Sequence, residues 1–482
     1  MTSYLKTNWV LILSFLFIMA NSAFIALEQY WFTAVPFALV VLLLAFIATD
    51  KLMWVIIFAT PLSINLEELD FGGVGMFLPT EPLLFGVMLI FFLKILYDRK
   101  FDKSVLYHPL SIGIIINLSW LTITTLTSTM PVVSIKFLLA RLWFVVSLFY
   151  IASQLFKNVK NIRTFFWLYL IPLTLVAIYT FVHHSMYSFE ERPAHWVMQP
   201  FFKDHTVYGA VLAMMYPVLL CLLALKRYRK YRLLIVIMLI ALSLGIIFSY
   251  GRAAWISLVA AFGVSLIYVL RLRTSFVLSV AGLLIIVTGI FWGDIINVLE
   301  KNEQDSTSEN LSEHVQSITN ISTDASNLER INRWNSAIKM FERKPIFGWG
   351  PGTYAFQYAP FQSSEDLTII STNAGDMGNA HSEFIGPLAE AGVLGTLTFI
   401  LIIVIFYRTA SKLYFRLPKG ELRTIVFFTI LSFTTYLING VLNNFLDTDK
   451  ASVPFWAFIA IIAAIDLNSK KMLKEETQPQ EG

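Results

Sequence analysis

The sequence predicts an all-α, polytopic integral membrane protein with about 12–14 transmembrane helices and one large loop outside the membrane. Two observations support this fold class. Of the residues, 57% are hydrophobic and only 14% are charged, whereas soluble domains carry about 25% charged residues. Apolar runs of roughly 17–25 residues, the length that spans a bilayer as a helix, recur along nearly the whole chain. Helices are the expected structure of these runs, because lipid cannot satisfy the hydrogen-bonding groups of the backbone.

Fourteen apolar runs are candidate spans. The third is short and carries Pro61, which makes it the weakest candidate. The runs divide the chain into transmembrane helices over residues 1–293, a large loop with short helices over 294–390, transmembrane helices over 391–468 and a cytoplasmic tail over 469–482. The spans are expected to begin near Trp9, Trp31, Leu52, Glu81, Pro109, Val132, Ile162, Thr206, Leu233, Ala253, Ser275, Ala391, Thr424 and Val453.

The distribution of charge predicts the orientation. Lysine and arginine gather in alternate loops, whereas the loops between them are mostly acidic or neutral. The positive-inside rule then places both termini in the cytoplasm and the large loop outside, in agreement with an even number of spans. The net charge of +4 therefore reflects topology and does not indicate a nucleic-acid partner. The basic clusters lie at residues 98–100, 157–163, 226–230, 271–273 and 412–423.

Three further features narrow the class. Lys6 precedes the first apolar run, as in a signal sequence, but the run is long and many more follow, so an uncleaved first span is expected. Cys221 is the single cysteine, which leaves no disulfide framework or cysteine metal site within one chain. The sequence shows no carboxylate cluster at obvious ligand spacing, and we predict no metal site.

The large loop has two parts of different character. Residues 300–327 are polar and acidic, which predicts a weakly ordered segment or a surface flap. The next part predicts a helix that ends before Pro345, with Arg330 and Arg333 on a neighbouring face. A glycine-rich turn follows at residues 347–354; it lacks the lysine of a nucleotide phosphate loop and favours an architectural role. The apolar stripe of the helix is Leu328, Ile331, Trp334, Ile338 and Phe341.

A single histidine, His381, stands after a second loop at residues 373–379. Residues 381–391 predict a helix that runs into the next span, with His381 at its start. The positive end of the helix dipole would keep the imidazole neutral and able to accept a proton. The alternative interpretation is a polar cap on a helix that re-enters the membrane.

Three segments carry a resemblance to a known family. The first is Phe248-Ser249-Tyr250-Gly251-Arg252-Ala253-Ala254-Trp255, at the outer end of a span. The second joins Arg333-Trp334 to Pro345-Ile346-Phe347-Gly348-Trp349-Gly350-Pro351-Gly352. The third joins Ala380-His381-Ser382-Glu383-Phe384 to Ala389-Glu390-Ala391-Gly392-Val393-Leu394-Gly395. In order and spacing they resemble the O-antigen ligase/polymerase superfamily of bacterial envelope glycosyltransferases, over about Ser249 to Leu401; the N-terminal half is similar in hydropathy only.

The chain departs from the family pattern at several positions. Ser382 stands where the family often has asparagine, and Pro387 interrupts the helix that follows. Residues 203–206, Lys-Asp-His-Thr, replace a simpler motif with Asp or Asn. These departures leave the arginine and histidine positions in place.

The resemblance implies transfer of a glycan from undecaprenyl diphosphate to an acceptor hydroxyl at the periplasmic face of the bacterial inner membrane. It implies no nucleotide, ATP or other cofactor. Arginines would stabilise the departing diphosphate through charge-assisted hydrogen bonds. Arg252 is the first candidate, with Arg330 or Arg333 as a second donor. His381 would deprotonate the acceptor hydroxyl, and attack opposite the diphosphate would invert the anomeric carbon, without a metal ion.

Other polar residues have two interpretations each. Arg252 at a helix end could extend to the lipid headgroups instead. Lys136 and Arg141 lie within a predicted span, where a charge is costly; each could bind the lipid diphosphate or pair with an unidentified carboxylate. Further candidates for the outer cavity or the acceptor are Asp204, His205, Tyr208 and Glu383, with helix capping as the alternative for Asp204.

Several functions share this chemistry. A ligase that uses lipid A–core as acceptor is the first choice, and a repeat-unit polymerase or a protein O-oligosaccharyltransferase is the alternative. A flippase for lipid-linked sugars is the rival of another class, since many spans and intramembrane charges suit a transporter; the single large outer loop and the lack of an obvious repeat argue against it. An inactive scaffold in an envelope assembly is a third possibility. The expected partners are the lipid-linked glycan, its acceptor and membrane lipids.

Overall fold

A computed structural model describes residues 2–27, 32–33, 36, 48–65, 76–98, 102–273, 329–363, 371 and 378–477. The structure is 79% helical. Its described residues contain one small sheet, in which Ile64–Asn65 pairs antiparallel with Phe77–Leu78. The predicted all-α membrane class is confirmed.

Thirteen helices of the described residues are labelled in chain order. Ten of them, α3 to α9 and α11 to α13, are long and apolar enough to cross a bilayer, so the protein is a multi-pass membrane protein. Helix α5 continues through a π-helical turn, Val146–Ile151, and a last turn, Ala152–Leu155. The helices are α1 Thr2–Ala26, α2 Thr49–Ala59, α3 Thr80–Asp98, α4 Pro109–Leu126, α5 Pro131–Val145, α6 Val159–Ser185, α7 His205–Ala224, α8 Arg232–Phe248, α9 Arg252–Val269, α10 residues 329–343, α11 Gly386–Arg416, α12 Glu421–Leu442 and α13 Asp449–Thr477.

Shorter helices connect these elements. They are the α-helical turns Lys103–Leu106 and Tyr354–Gln357 and the 3₁₀ turns Thr60–Leu62, Pro193–His195, Lys226–Tyr231 and Ala359–Phe361. The chain divides into two compact units, Met1–Val55 and Ile56–Gly482. The first contains α1 and the beginning of α2; the second contains all the residues discussed below.

Most predicted spans correspond to helices, and one does not. The run near Leu52 forms α2, which has only 11 residues. At 1.5 Å per residue it is about half as long as the roughly 30 Å hydrocarbon core requires, so a span there was a wrong prediction. Pro61 lies in the 3₁₀ turn that follows. The predicted spans near Trp31 and Ser275 and the acidic segment 300–327 lie outside the described residues, and the predicted domain limits stay predictions.

Three helices form the core of the membrane part. The apolar stretches of α7, α12 and α13 are 78%, 67% and 89% buried, whereas those of α8 and α9 are 28% and 22% buried. The central helices pack through aromatic stacking: the Phe433 ring lies 3.8 Å from that of Phe406 and 5.0 Å from that of Phe455, between centroids. The outer helices α8 and α9 therefore present most of their apolar surface to lipid.

The glycine-rich turn joins the large loop to the membrane helices. The amides of Trp349 and Gly350 donate to the carbonyls of Ala389 and Glu390 (3.1 and 2.8 Å), and the carbonyl of Trp349 accepts from the amide of Thr129 (2.9 Å). Gly350 has φ +117°, and a Cβ there would lie 2.0 Å from the Ser128 hydroxyl oxygen. The turn is an architectural clamp, because a side chain at this position would prevent its close approach to the helices.

Gly392 produces a break inside α11. Its backbone has φ +68° and ψ −171°, so the helix bends there. A Cβ on Gly392 would lie 2.0 Å from the carbonyl oxygen of Ile346. The carbonyl of Ala391 accepts a hydrogen bond from the indole of Trp120 (2.8 Å). The start of α11 is thus held against the glycine-rich turn.

We expect Gly392→Ala to lower the melting temperature of the purified protein by several degrees. Positive φ at a non-glycine residue costs about 1–3 kcal/mol, and the added Cβ would also collide with the Ile346 carbonyl. Gly263→Ala is the matched control, because an added Cβ at Gly263 in α9 meets open space. Equal melting temperatures for the two variants would contradict the proposed role of the bend.

Candidate active site

A cleft of about 250 Å³ opens among the start of α9, the start of α10, the segment between α6 and α7, and the end of α12. Under the predicted topology it lies on the outer side of the membrane. Its polar lining includes Glu191, His195, His205, Arg252, Arg330 and Asn443. The cleft therefore brings together two of the predicted arginines and one of the predicted histidines.

A tight turn presents Arg252 to the cleft. Tyr250 has φ +51°, and its hydroxyl donates to the carbonyl of Phe189 (2.8 Å). The amide of Gly251 donates to the Ser249 hydroxyl (3.2 Å), and α9 begins at Arg252. The exposed guanidinium thus stands at a helix N-terminus, where the helix dipole also favours an anion.

Arg330 provides the second positive charge. It lies on α10, largely buried, and lines the same cleft as Arg252. Burial lowers the pKa of Arg330, the nearby charge of Arg252 lowers it further, and Asp204 partly opposes both effects. Two arginines that repel each other in a partly buried cleft would be stabilised by an anion between them.

His381 lies in the turn before α11 and does not start that helix, which begins at Gly386. The predicted helix start at His381 was therefore wrong. The residue has φ +47°, and its amide donates to the side-chain oxygen of Asn379 (3.1 Å). Burial lowers the pKa of the imidazole to about 3, with further lowering by the charges of Arg333 and Arg330. The ring is therefore neutral at neutral pH, and its burial and the arginines keep it so.

Arg333 fixes the backbone next to His381. Its Nε atom pairs with Glu329 (2.6 Å) within α10, and its Nη1 atom donates to the carbonyl of Asn379 (3.1 Å). The guanidinium also lies 5.5 Å from the ring centroid of Tyr358. A Cβ on Gly378 would lie 2.0 Å from Arg333 Nη1. These contacts connect α10 directly to the turn that carries His381.

The predicted trio at the start of α7 separates into different environments. Asp204 is the N-cap of α7 and accepts from the amides of Thr206 and Val207 (2.7 and 3.1 Å). His205 lines the cleft, with its ring centroid 4.2 Å from that of His195. Tyr208 is buried and lines a different, small cavity beneath the segment between α6 and α7.

Arg141 and Glu383 lie at a second cavity, of about 40 Å³, among α4, α5, α11 and α13. Arg141 pairs with Asp447 (3.3 Å), the carboxylate that sequence could not identify. Lys136 is exposed on α5 and lines neither of these two cavities. Neither cation reaches the cleft of Arg252, and their predicted role in diphosphate binding stays a prediction.

Glu383 is an anchor for the turn after His381. One of its carboxylate oxygens accepts from the Tyr436 hydroxyl (2.5 Å) and from the amides of Phe445 and Leu446 (2.8 and 2.9 Å). Burial raises its pKa to about 7, and the nearby Asp447 carboxylate contributes. The turn is thereby attached to the end of α12 and the loop that follows it.

Sequence reasoning missed part of the cleft lining. The lining residues that were not predicted include Glu191, His195, Asn439 and Asn443. The last two are spaced by one helical turn at the end of a largely apolar helix, which is a signal for a polar face. No comparable local signal marks His195.

Comparison with known protein families identifies a partial match. The sequence matches the O-antigen ligase family over residues 237–400, about a third of the chain. The matched range contains Arg252, Arg330, Arg333 and His381. No curated protein matches the chain.

We expect Arg333→Ala and Arg252→Ala to differ in their effect on stability. Arg333→Ala leaves Glu329 buried without its cation, and breaking a buried pair costs roughly 3–5 kcal/mol. Arg252 is exposed, so Arg252→Ala should leave the melting temperature of the purified protein unchanged. An unaltered melting temperature in Arg333→Ala would show that its contacts are dispensable for folding.

Proposed function

We propose that this chain, which matches the O-antigen ligase family over residues 237–400, transfers a glycan from undecaprenyl diphosphate to an acceptor hydroxyl at the periplasmic face of the inner membrane. The first acceptor we propose is lipid A–core. One observation carries the proposal: Arg252 and Arg330 line one cleft, and Arg333, one turn after Arg330 on α10, donates to the carbonyl of Asn379 in the turn that carries His381. Helix α10 thus connects the positive charge to the base that this reaction requires, although His381 itself does not line the cleft.

The two arginines suit a diphosphate leaving group. When the glycosyl–oxygen bond breaks, negative charge develops on the diphosphate. Guanidinium groups stabilise phosphate oxygens through paired, charge-assisted hydrogen bonds. Because Arg252 and Arg330 repel each other, an anion bound between them would offset the repulsion of the two positive charges. We propose that this charge replaces a metal ion and that the reaction needs no cofactor.

An apolar groove supports a lipid-linked donor. Among the described residues, a groove of about 660 Å³ lies among α7, α8, α9 and α12 and follows one side of α9. It extends from Trp255, three residues after Arg252, to Val269 near the other end of the helix. A polyprenyl chain whose diphosphate lies at Arg252 would enter this groove directly. Its lining includes Ile246, Ile247, Trp255, Phe262, Phe427 and Phe428.

His381 is the proposed general base. The neutral imidazole accepts the proton of the acceptor hydroxyl while the acceptor oxygen bonds to the anomeric carbon. The bond from that carbon to the diphosphate oxygen breaks, and undecaprenyl diphosphate leaves with the electron pair. Attack from the opposite face inverts the anomeric centre. The anion near Arg330 would offset the positive charges that lower the pKa of His381, so donor binding makes the imidazole a stronger base.

A repeat-unit polymerase or a protein O-oligosaccharyltransferase would use the same groups with another acceptor. Deletion of the gene and electrophoresis of the lipopolysaccharide separates these functions. We expect core without polysaccharide, with the glycan retained on its lipid carrier. Core with one repeat unit would indicate the polymerase, and an unchanged ladder would indicate another acceptor or a flippase that acts elsewhere.

We expect His381→Ala to lower transfer by roughly 10²–10⁴-fold, the usual contribution of a general base. In the deletion strain the variant should be as abundant as the wild type yet fail to restore the polysaccharide ladder. Normal transfer by His381→Ala at equal abundance would remove the histidine from the mechanism and leave a scaffold or transport function open.

The pH dependence of transfer should report His381. The neutral ring is the active form, so activity holds at higher pH and falls as pH drops through the pKa of His381. Because this pKa is about 3 in the unliganded protein, well below its usual 6.5, kcat/KM for the donor should show no acid limb near 6.5. The kcat of the donor complex should begin to fall at a higher pH, since the diphosphate raises this pKa. An acid limb of kcat/KM at or above 6.5 would contradict the assignment.

A further inference from the structure

The polar residues that line the cleft come from two sets of elements and differ in charge and chemistry. The arginine wall consists of Arg252 and Arg330, at the starts of α9 and α10. The acceptor wall consists of Glu191 and His195 from the segment between α6 and α7, His205 at the start of α7, and Asn443 just after α12. The Glu191 carboxylate repels a diphosphate, so the anion belongs at the arginine wall.

The acceptor wall suits neutral hydroxyl groups. A carboxylate accepts hydrogen bonds, whereas a neutral imidazole and an amide each both donate and accept. The Nδ1 atom of His205 is buried with no hydrogen-bond partner among the described residues, which leaves a ring nitrogen unsatisfied at this wall. Asn443 is 2% exposed and still borders the cleft. Hydroxyl-rich saccharides can satisfy such a mixed set of donors and acceptors.

The segment that carries Glu191 and His195 is held in place before any ligand binds. His184 Nε2 bonds to the carbonyl of Glu190 (2.7 Å), and His183 Nδ1 bonds to the carbonyl of Val197 (2.9 Å). Tyr250, two residues before Arg252, donates to the carbonyl of Phe189. The acceptor wall is therefore tied to the turn that presents Arg252, and a fixed wall lowers the entropic cost of binding.

An exposed aromatic pair adjoins this wall. The rings of Tyr187 and Trp196 meet edge to face, with centroids 4.8 Å apart, and the residues are 39% and 38% exposed. Trp196 follows His195 directly. The electron-rich face of an aromatic ring attracts the C–H face of a sugar ring. The aromatic pair thus adds a surface for a sugar ring beside the acceptor wall.

The two walls also differ in their position relative to the part of the chain that matches the O-antigen ligase family. Arg252, Arg330 and His381 lie inside the range that matches the O-antigen ligase family, residues 237–400. All four residues of the acceptor wall lie outside it. The matched region thus contains the groups proposed to bind the donor diphosphate and to act as the base. The acceptor wall lies in the rest of this chain.

We propose that the acceptor wall is a binding subsite for a saccharide acceptor, held through its hydroxyl groups beside the arginine wall. The inference rests on the proposed function, and it makes the nucleophile a sugar hydroxyl instead of a serine or threonine.

We expect Glu191→Gln and His195→Ala to weaken binding of core oligosaccharide, released from lipid A, to the protein in lipid nanodiscs. Loss of one hydrogen bond to a bound ligand corresponds to about a tenfold rise in Kd. In transfer assays the KM for the acceptor should rise to a similar extent, while the KM for the donor and kcat at saturating acceptor stay unchanged. Arg192→Ala is the matched control, because Arg192 is exposed beside Glu191 and does not line the cleft.

The outcomes distinguish this inference from the proposed function. Wild-type protein that binds the oligosaccharide but makes no product would contradict the proposed function. Weaker binding by the two variants in that case would still support the subsite. Wild-type protein that transfers normally, with variants that keep the same Kd and acceptor KM, would overturn the subsite. A rise in donor KM alone, or a preference for serine peptides over oligosaccharide, would overturn it as well.

Discussion

The backbone around His381 is fixed from both sides by buried ionisable side chains, and the geometry of the candidate site depends on this. Before the histidine, Arg333 binds the carbonyl of Asn379 while it pairs with Glu329. After it, Glu383 accepts hydrogen bonds from the Tyr436 hydroxyl near the end of α12 and from two amides of the following loop. Buried charges of this kind stabilise a structure only when every partner is in place. They are costly to misalign, so they fix the left-handed turn of His381 to one position.

The electrostatics of the site follow from burial combined with like charge. Arg252, Arg330 and Arg333 act on one another or on His381, and Asp204, the N-cap of α7, is the acidic residue that opposes them. A site built this way is poised for an anion and is less stable without one. Burial and the nearby arginines also keep His381 uncharged. The helix dipole, which the sequence suggested as the cause, does not act there, because α11 begins five residues after His381.

Hydropathy and charge asymmetry predict the fold class, since spans depend on local composition. The short helix α2 shows the limit: an apolar run with Pro61 ends too early to cross the bilayer. Arg252, Arg330 and His381 were predicted from motifs, and the structure places the two arginines at one cleft. The structural roles of Arg333 and Glu383 and the pairing of Arg141 with Asp447 could not be predicted. These contacts join residues 46, 53 to 63 and 306 positions apart, and single-sequence patterns carry no information on such pairs.

The tie between Tyr250 and Phe189 has a consequence for how such a protein diversifies. A hydroxyl-to-carbonyl bond joins the arginine turn to the segment between α6 and α7, and this bond uses only the backbone of the segment. The Phe189 ring adds a stack on Phe248, with centroids 4.5 Å apart. Side chains of the segment other than Phe189 can therefore change while these two contacts persist, so a chimera that exchanges residues 190–203 and keeps Phe189 would alter this lining of the cleft without removing the attachment.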